Sequence, residues 1–302
     1  LILPFELKFL GVNKLYCPMN FSPILAKFLN IKIILCLHSN LPWVYFNLMP
    51  GNIIRNFITK KLMEISIYTC DLLIFNSFFA KKELEDILNL SKKKIEVVYL
   101  GVNNIFLKNN CENNLINLFN YNERYILSVM SCVKYHNIIN ILKAFKLLID
   151  DLKIDIKLVL VLQILDKKYF LEIEKFIRSN HMEKQIQIFS NLNINQLPKL
   201  YKNAELYVFT SYCEVFGLTS LEAMAKETPV VISNRSALPE VNGDAVLYFN
   251  PDEVSEIESC LKKIMLDQNL KRFLIDSGKV QYKKFDSKEN VKRTIDIIEK
   301  VV

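Results

Sequence analysis

Residues 206–233 read LYVFTSYCEVFGLTSLEAMAKETPVVIS, and this stretch decides the fold. The apolar run Leu206–Thr210 predicts a buried strand. A loop begins at Ser211, a helix is expected over Leu218–Lys226, and a second apolar strand over Pro229–Ser233. Continuous apolar strands joined through a helix point to a parallel sheet covered on both faces.

The same alternation runs outward. Downstream, Ala245–Phe249 reads as a strand, and the tail from Val254 reads as helix, with breaks expected near Gly278 and near Asp286–Ser287. Upstream, strands are expected at Tyr125–Met130, Ile156–Leu162 and Ile186–Phe189. Helices are expected at Ile138–Leu148, Lys168–Arg178 and Ile194–Lys202, the last capped by Asn195. In the first part of the chain, strands are expected at Leu15–Asn20, Lys32–Leu37, Leu72–Phe75 and Ile95–Leu100. Helices are expected at Asn56–Thr69 and at Phe78–Leu88, where Ser77 stands as the N-cap. An Asn-rich polar stretch, Lys108–Asn122, has the composition of a linker. The class is therefore α/β, with two Rossmann-like, doubly wound domains. The expected division is 1–107 for the first domain, 108–122 for the linker and 123–284 for the second. A terminal helix at 285–302 is expected to pack back on the first domain. Ligands of such sheets sit at the carboxyl ends of the strands.

Composition narrows the chemistry. The 302 residues are 51% hydrophobic and carry a net charge of +7. That balance suits an anionic small molecule or an anionic membrane surface. No basic patch interleaved with aromatics appears, so nucleic acid is not expected as a partner. The seven cysteines form no CxxC pair, and there are three histidines. This is free-thiol usage, expected of a reducing cytoplasm, and no metal site is expected. No apolar run reaches the roughly 18 residues of a membrane span. Lys60, Lys61, Lys81 and Lys82 read as solvated helix faces that could meet an anionic membrane.

Glu214 and Glu222 stand eight positions apart, with Gly217, one of six glycines, between them. The first N–H groups of a helix have no intrahelical partner and lie at its positive end, so the start at Leu218 and Thr219 suits a pyrophosphate. Gly217 is expected to clear space for a close approach. Glu222, about one turn into the helix, has two acceptor oxygens for the two hydroxyls of a ribose. Glu214, in the loop, can reach sugar hydroxyls. Alone, either glutamate reads first as a solvated surface residue.

The string Glu214-Val-Phe-Gly-Leu-Thr-Ser-Leu-Glu222 resembles the signature of the family-four retaining glycosyltransferases (glycosyl transferases group 1). Ala223-Met224-Ala225, Pro229-Val230-Val231, Leu238-Pro239-Glu240-Val241, Gly243-Asp244-Ala245 and Pro251-Asp252 fit the same pattern in order. More weakly, Cys70–Glu83 and Val98–Val102 resemble the end of that family's first domain. The resemblance implies a GT-B fold, two Rossmann-like domains facing a cleft. It implies transfer of a sugar from a UDP- or GDP-sugar to a glycan or lipid-linked acceptor, with retention, without a metal or resident cofactor. By that analogy Glu222 holds the ribose and Glu214 contacts the donor sugar near its anomeric carbon. The backbone N–H groups of Phe216, Gly217, Leu218 and Thr219 serve sugar and phosphate. Cell-surface polysaccharide synthesis, on the cytoplasmic side and peripherally at the inner face of the membrane, is the implied setting.

Two departures bear on activity. Where the family places Arg and Lys after the first strand of the second domain, this chain has Ser131 and His136. His136 could be protonated beside an anion, and Lys134 could supply the charge. His38, at the end of the strand KIILCL, matches a histidine common in that loop of the family. It reads equally as a strand-end histidine bonded to backbone. Residues 1–31 show no opening strand and glycine-rich loop, so the first domain is expected to lack its start, roughly 60 residues at two βα units. These departures leave a second expectation open, a truncated or degenerate non-catalytic relative acting as a binding or partner subunit.

Overall fold

The computed structural model describes residues 3–108, 123–190 and 192–301. The chain divides into two compact units. The first comprises Leu1–Gly101, Cys213–Phe216 and Ser287–Val302, and the second Val102–Tyr212 and Gly217–Asp286. The stretch expected as a linker lies outside the described residues, apart from Lys108.

The first unit starts with α1 (Leu3–Phe9), β1 (Lys14–Cys17), α2 (Leu25–Phe28), β2 (Lys32–Leu37) and α3 (Leu41–Val44). It continues with α4 (Ile53–Thr69), β3 (Leu72–Phe75), α5 (Phe78–Leu88) and β4 (Lys94–Val97). The strands form one parallel sheet in the order β1-β2-β3-β4. β1 stops at Cys17, short of the expected end, because Pro18 has no N–H to give the ladder. β4 also stops early, at Val97, and the last ladder bond beyond it runs from the Val98 N–H to the Phe75 carbonyl. Asn52 caps α4 through the Arg55 N–H, so this helix starts three residues before its apolar pattern. Ser77 accepts from the Ala80 N–H at 3.1 Å, as its position predicts.

The second unit runs α6 (Asn104–Leu107), β5 (Tyr125–Cys132), α7 (Ile138–Leu152), β6 (Lys157–Ile164), α8 (Lys167–Ser179), β7 (Ile186–Ser190) and α9 (Leu197–Asn203). Then come β8 (Leu206–Phe209), α10 (Leu218–Ala225), β9 (Val230–Ser233), α11 (Leu238–Asn242), β10 (Leu247–Phe249), α12 (Val254–Leu266) and α13 (Gln268–Gln281). Its six strands are parallel in the order β10-β9-β8-β5-β6-β7. The last helix, α14 (Ser287–Glu299), returns to the first unit. There Ile297 and Ile298 pack on Ile34, Cys36, Leu72 and Ile74. The alternate residues Ile33, Leu35, Leu37, Leu73 and Phe75 form the core on the opposite sheet face.

Two local expectations are corrected. The cap before α9 is Asn193, not Asn195. A 3-10 turn (Ile194–Gln196) precedes the helix, and the Asn193 side chain accepts from the Asn195 N–H while Gln196 reaches back to the Asn193 N–H. Gly278 does not break the tail; it lies inside α13, where an added Cβ would come 3.1 Å from Met224 Cγ. Its missing side chain permits close helix packing. The break falls at Asp267, which caps α13 through the Asn269 and Leu270 N–H groups.

Candidate functional site

In the second sheet, strand order reverses at β5, which lies between β6 and β8. The loops after β5 and β8 therefore diverge at a topological switch point, where open α/β sheets bind ligands. The loop after β5 holds Ser131 and the 3-10 turn Lys134–His136. His136 is buried, 7% exposed. Its Nδ1 lies 2.6 Å from the Ser131 carbonyl oxygen. A carbonyl only accepts, so Nδ1 carries the proton. Thr210 Oγ1 donates to the His136 carbonyl at 2.7 Å, and the Tyr212 N–H donates to the Tyr135 carbonyl at 2.8 Å. These bonds tie the end of β8 to the β5 loop. Asn137 follows with φ 55°, a left-handed conformation that asparagine tolerates, and α7 begins there. Ser131 Oγ is 3.4 Å from Gln163 Oε1. Lys134 Nζ is 3.3 Å from a Glu172 carboxylate oxygen.

α10 starts at the same pole. Gly217 is its N-cap residue with φ 88°, and no side chain caps this helix end. A Cβ at Gly217 would fall 2.4 Å from Leu238 Cδ2. The glycine is thus required by backbone conformation and by Leu238, besides any approach of a ligand. Thr219 Oγ1 lies 2.8 Å from the Tyr207 hydroxyl, which also reaches the Val129 carbonyl at 3.2 Å. Leu218 is half-buried.

Glu222 is 8% exposed and accepts a hydrogen bond from the Tyr201 hydroxyl at 3.2 Å. Burial pushes its pKa up to about 7, against the pull of the Tyr201 bond. Burial, and then the charge of Glu222, hold the Tyr201 hydroxyl well above its usual range. Tyr201, Tyr207 and Thr219 therefore link the carboxylate to the first turn of its own helix. Sequence reading missed both tyrosines, because Tyr207 sits in an apolar strand run and Tyr201 on the inward face of a short helix, where each reads as core.

Glu214 belongs to the first unit with Cys213, Val215 and Phe216. Val215 packs against that unit's core, and the Phe216 ring lies 5.9 Å from Tyr99. Burial, then the charges of Glu214 and Glu83, push the Cys213 thiol far up. Glu83, which sequence reading did not single out, takes a 2.8 Å bond from Asn40 Nδ2. Burial raises its pKa, and that bond lowers it. His38 follows β2, and its N–H donates to Asn20 Oδ1 at 2.7 Å. Burial lowers its pKa, with a partial opposing pull from the Pro18 backbone, so it is neutral near pH 7. The two motif glutamates thus belong to different units.

Among the described residues no group of three or more His, Cys, Asp or Glu could hold a metal ion. Among the same residues no helix is long and apolar enough to cross a membrane.

Comparison with known proteins follows the same division. Residues 112–281 match the family described as Glycosyl transferases group 1, and residues 15–104 match Glycosyltransferase Family 4. The O-antigen chain mannosyltransferase RfbU of Salmonella typhimurium is 25% identical over 261 residues, covering 83% of this chain and 70% of that protein. O-antigen chain mannosyltransferase B of Escherichia coli is 38% identical over 99 residues, 33% of this chain and 26% of that protein. Sucrose-phosphate synthase from Thermosynechococcus elongatus superposes with a TM-score of 0.81 at 17% identity, over 99% of this chain and 76% of its own. A glycosyltransferase from Rickettsia africae gives 0.76 at 16% identity, over 100% and 80%. These structural neighbours share the GT-B architecture. With more than half of its length matched, the chain belongs to the glycosyl transferases group 1, within glycosyltransferase family four.

Proposed function

We propose that this chain transfers a sugar from a UDP- or GDP-sugar to a glycan or lipid-linked acceptor, with retention, in cell-surface polysaccharide assembly. One observation carries the reading: a buried carboxylate, Glu222, one turn into a helix whose start, uncapped by any side chain, opens at the switch point of the second sheet. The positive end of α10 suits the diphosphate. Glu222 accepts the ribose hydroxyls, and Tyr201 orients it. His136, its Nδ1 proton held by the Ser131 carbonyl, donates to the departing phosphate only when Nε2 is protonated as well, with Ser131 and Lys134 in the same loop. The backbone of Phe216, Gly217, Leu218 and Thr219 begins two residues after Glu214, and we assign it to the donor's sugar and phosphate, Glu214 to the sugar end of the donor and His38 to the sugar's far side. Charge held in place before the reaction is the main source of rate in such a site. Two relatives are named as O-antigen mannosyltransferases, which supports a hexose donor.

A second reading, a non-catalytic relative, draws on Lys134, whose ammonium faces Glu172, and on the absence of a fixed positive charge at Ser131 and His136. Calorimetric titration with UDP and GDP should give binding that Glu222→Ala weakens about tenfold or more, since a charged hydrogen-bond partner is lost. No binding by UDP, GDP or ADP removes both readings. Nucleotide binding without turnover of any UDP- or GDP-sugar selects the second.

The reading also places the chain on the inner face of a membrane, through α4. Ile54, Phe57, Ile58, Leu62 and Ile65 are exposed there beside Arg55 and Lys61. Cosedimentation with phosphatidylglycerol vesicles, but not with pure phosphatidylcholine, is expected and should be lost in Ile58→Glu.

A further inference from the structure

The first unit holds a cavity of about 430 Å³ at the carboxyl end of its sheet. Cys36, Ile74 and Val98 line it from the strand side, and Asn290, Ile295 and Ile298 from α14. His38, a candidate site residue, also lines it. The volume falls within the range of small-molecule pockets.

Its lining is selective in charge. In a chain with 24% charged residues, no Lys, Arg, Asp or Glu among the described residues lines this cavity. Tyr16, Cys36 and His38 in its lining are neutral near pH 7. Burial raises Tyr16 to about 12 and Cys36 to about 11, and burial lowers His38. A phosphate or carboxylate entering here would lose its water without meeting a cation. Among the described residues, the lining amide nitrogen Asn290 Nδ2 is buried and has no hydrogen-bond partner. The neighbouring amide, Asn76 Nδ2, is already engaged by the Val98 carbonyl at 3.3 Å. An apolar cavity with a buried, unanswered donor fits a neutral, mainly apolar group that carries an acceptor oxygen.

We propose that this cavity receives the neutral, largely apolar part of the glycosyl acceptor, an alkyl- or aryl-bearing glycoside rather than a sugar phosphate, with one acceptor oxygen on Asn290. This rests on the glycosyltransferase reading and names the acceptor class. His38 then stands where the sugar portion of the acceptor meets the apolar portion.

The test uses the full chain and octyl β-D-glucopyranoside below its micelle concentration, followed by ligand-observed saturation-transfer NMR, with glucose 6-phosphate as the charged comparison. UDP and GDP binding is measured on the same samples, so failure of the nucleotide reading is seen separately. Octyl glucoside should bind and glucose 6-phosphate should not. Asn290→Leu should weaken octyl glucoside about fivefold, the scale of one neutral hydrogen bond. The same variant should raise the melting temperature of the unliganded protein, because a buried unpaired donor is removed. Ile295→Trp, at a half-exposed lining position, should abolish binding without unfolding the chain. Ile58→Glu on α4 should leave this binding unchanged, which separates the cavity from detergent adsorbed on that helix. No octyl glucoside binding, equal or tighter binding of glucose 6-phosphate, or binding unaffected by both cavity variants overturns the proposal.

Discussion

The two sheets are both parallel, yet they order their strands differently. In the first, β1 to β4 follow the chain; in the second, the order turns back at β5. A sequential sheet sends successive connections the same way, so its strand ends do not open a crevice between diverging loops. The reversal in the second sheet splits the loops after β5 and β8, and the candidate donor residues Ser131, Lys134, His136, Gly217, Thr219 and Glu222 lie at or just beyond that split. The first sheet ends instead in an uncharged cavity. The difference fits the proposed division of labour, with charge handled where topology opens a crevice and neutral recognition where a helix roofs a sheet. Glu214 cuts across it, an acid of the donor motif carried by the first unit.

The strongest way to break this division is therefore Glu214→Ala. If the first unit supplies only the carboxylate that holds the donor sugar and the second binds the nucleotide, turnover should fall about a hundredfold or more, the scale of a lost positioning contact at the reacting sugar. UDP or GDP affinity should stay within about twofold. Glu222→Ala should do the reverse in emphasis and weaken nucleotide binding first. Steady-state kinetics beside calorimetry reads both, and equal loss of affinity in the two variants would end the division.

Next in size is a pair of glycines, one per unit. Gly217 has φ 88° and Leu238 within 2.4 Å of any Cβ, whereas Gly11 has φ 74° and open space. An alanine at either position costs about 1 kcal/mol of backbone strain. At Gly217, overpacking against Leu238 adds about 2 kcal/mol. Denaturant titration should show Gly217→Ala destabilised by about 3 kcal/mol and Gly11→Ala by about 1 kcal/mol. Equal costs would mean that Leu238 yields freely and that the turn before α10 is not rigid.

Glu222 gives the pH-dependent member of the series. Its pKa rises from 4.5 to about 7 on folding. Between those values the folded chain keeps a proton that the unfolded chain has lost. Its contribution to stability is therefore complete below pH 4.5 and is lost as pH rises through 7. Glu222→Gln has nothing to ionise and retains an acceptor for Tyr201. The stability of the variant relative to the native chain should grow from pH 5 to pH 8, by about 2–3 kcal/mol. Nucleotide affinity of the native chain should rise over the same interval, because the ionised carboxylate is the better acceptor of ribose hydroxyls. A difference between variant and native that is flat in pH would mean that the carboxylate is well solvated.

Much of this was legible from residue patterns, for reasons that differ by region. Leu72–Phe75 and Phe78–Leu88 were readable to the residue, since a four-residue apolar run and a serine cap leave little choice. The place of the donor motif was readable because an uncommon glycine, two acids and a strand–helix–strand pattern coincide. Strand order was not, since hydrophobic periodicity carries no information on which strands pair. Tyr201, Tyr207 and Glu83 were missed because a buried tyrosine or a helical glutamate looks the same whether or not its polar end meets a partner. The division of the two motif glutamates between units was also unreadable, as four residues of loop give no sign of which core they join. Gly278 misled, because a glycine that breaks a helix and one that lets two helices approach have the same letter.

The smallest effect tests how the second unit holds its network in place. Tyr201 sits on α9, so the aim of its hydroxyl at Glu222 depends on where that helix starts. The 3-10 turn that leads into α9 is capped by Asn193, whose side chain accepts from the Asn195 N–H at 3.0 Å while the Gln196 side chain accepts from the Asn193 N–H at 2.8 Å. Asn193→Ala removes one half of this reciprocal pair and should cost about 1 kcal/mol. Asn195→Ala leaves both bonds, since only its backbone takes part, and should lie within about 0.5 kcal/mol of the native chain. If the cap also aims Tyr201, Asn193→Ala should weaken the bond that lowers the Glu222 pKa and so extend the Glu222→Gln difference to higher pH. A cap confined to local stability would leave that profile where it was. Ser77→Ala, the matching cap in the first unit, should cost a similar amount and leave the Glu222 profile untouched, because α5 carries no residue of that network.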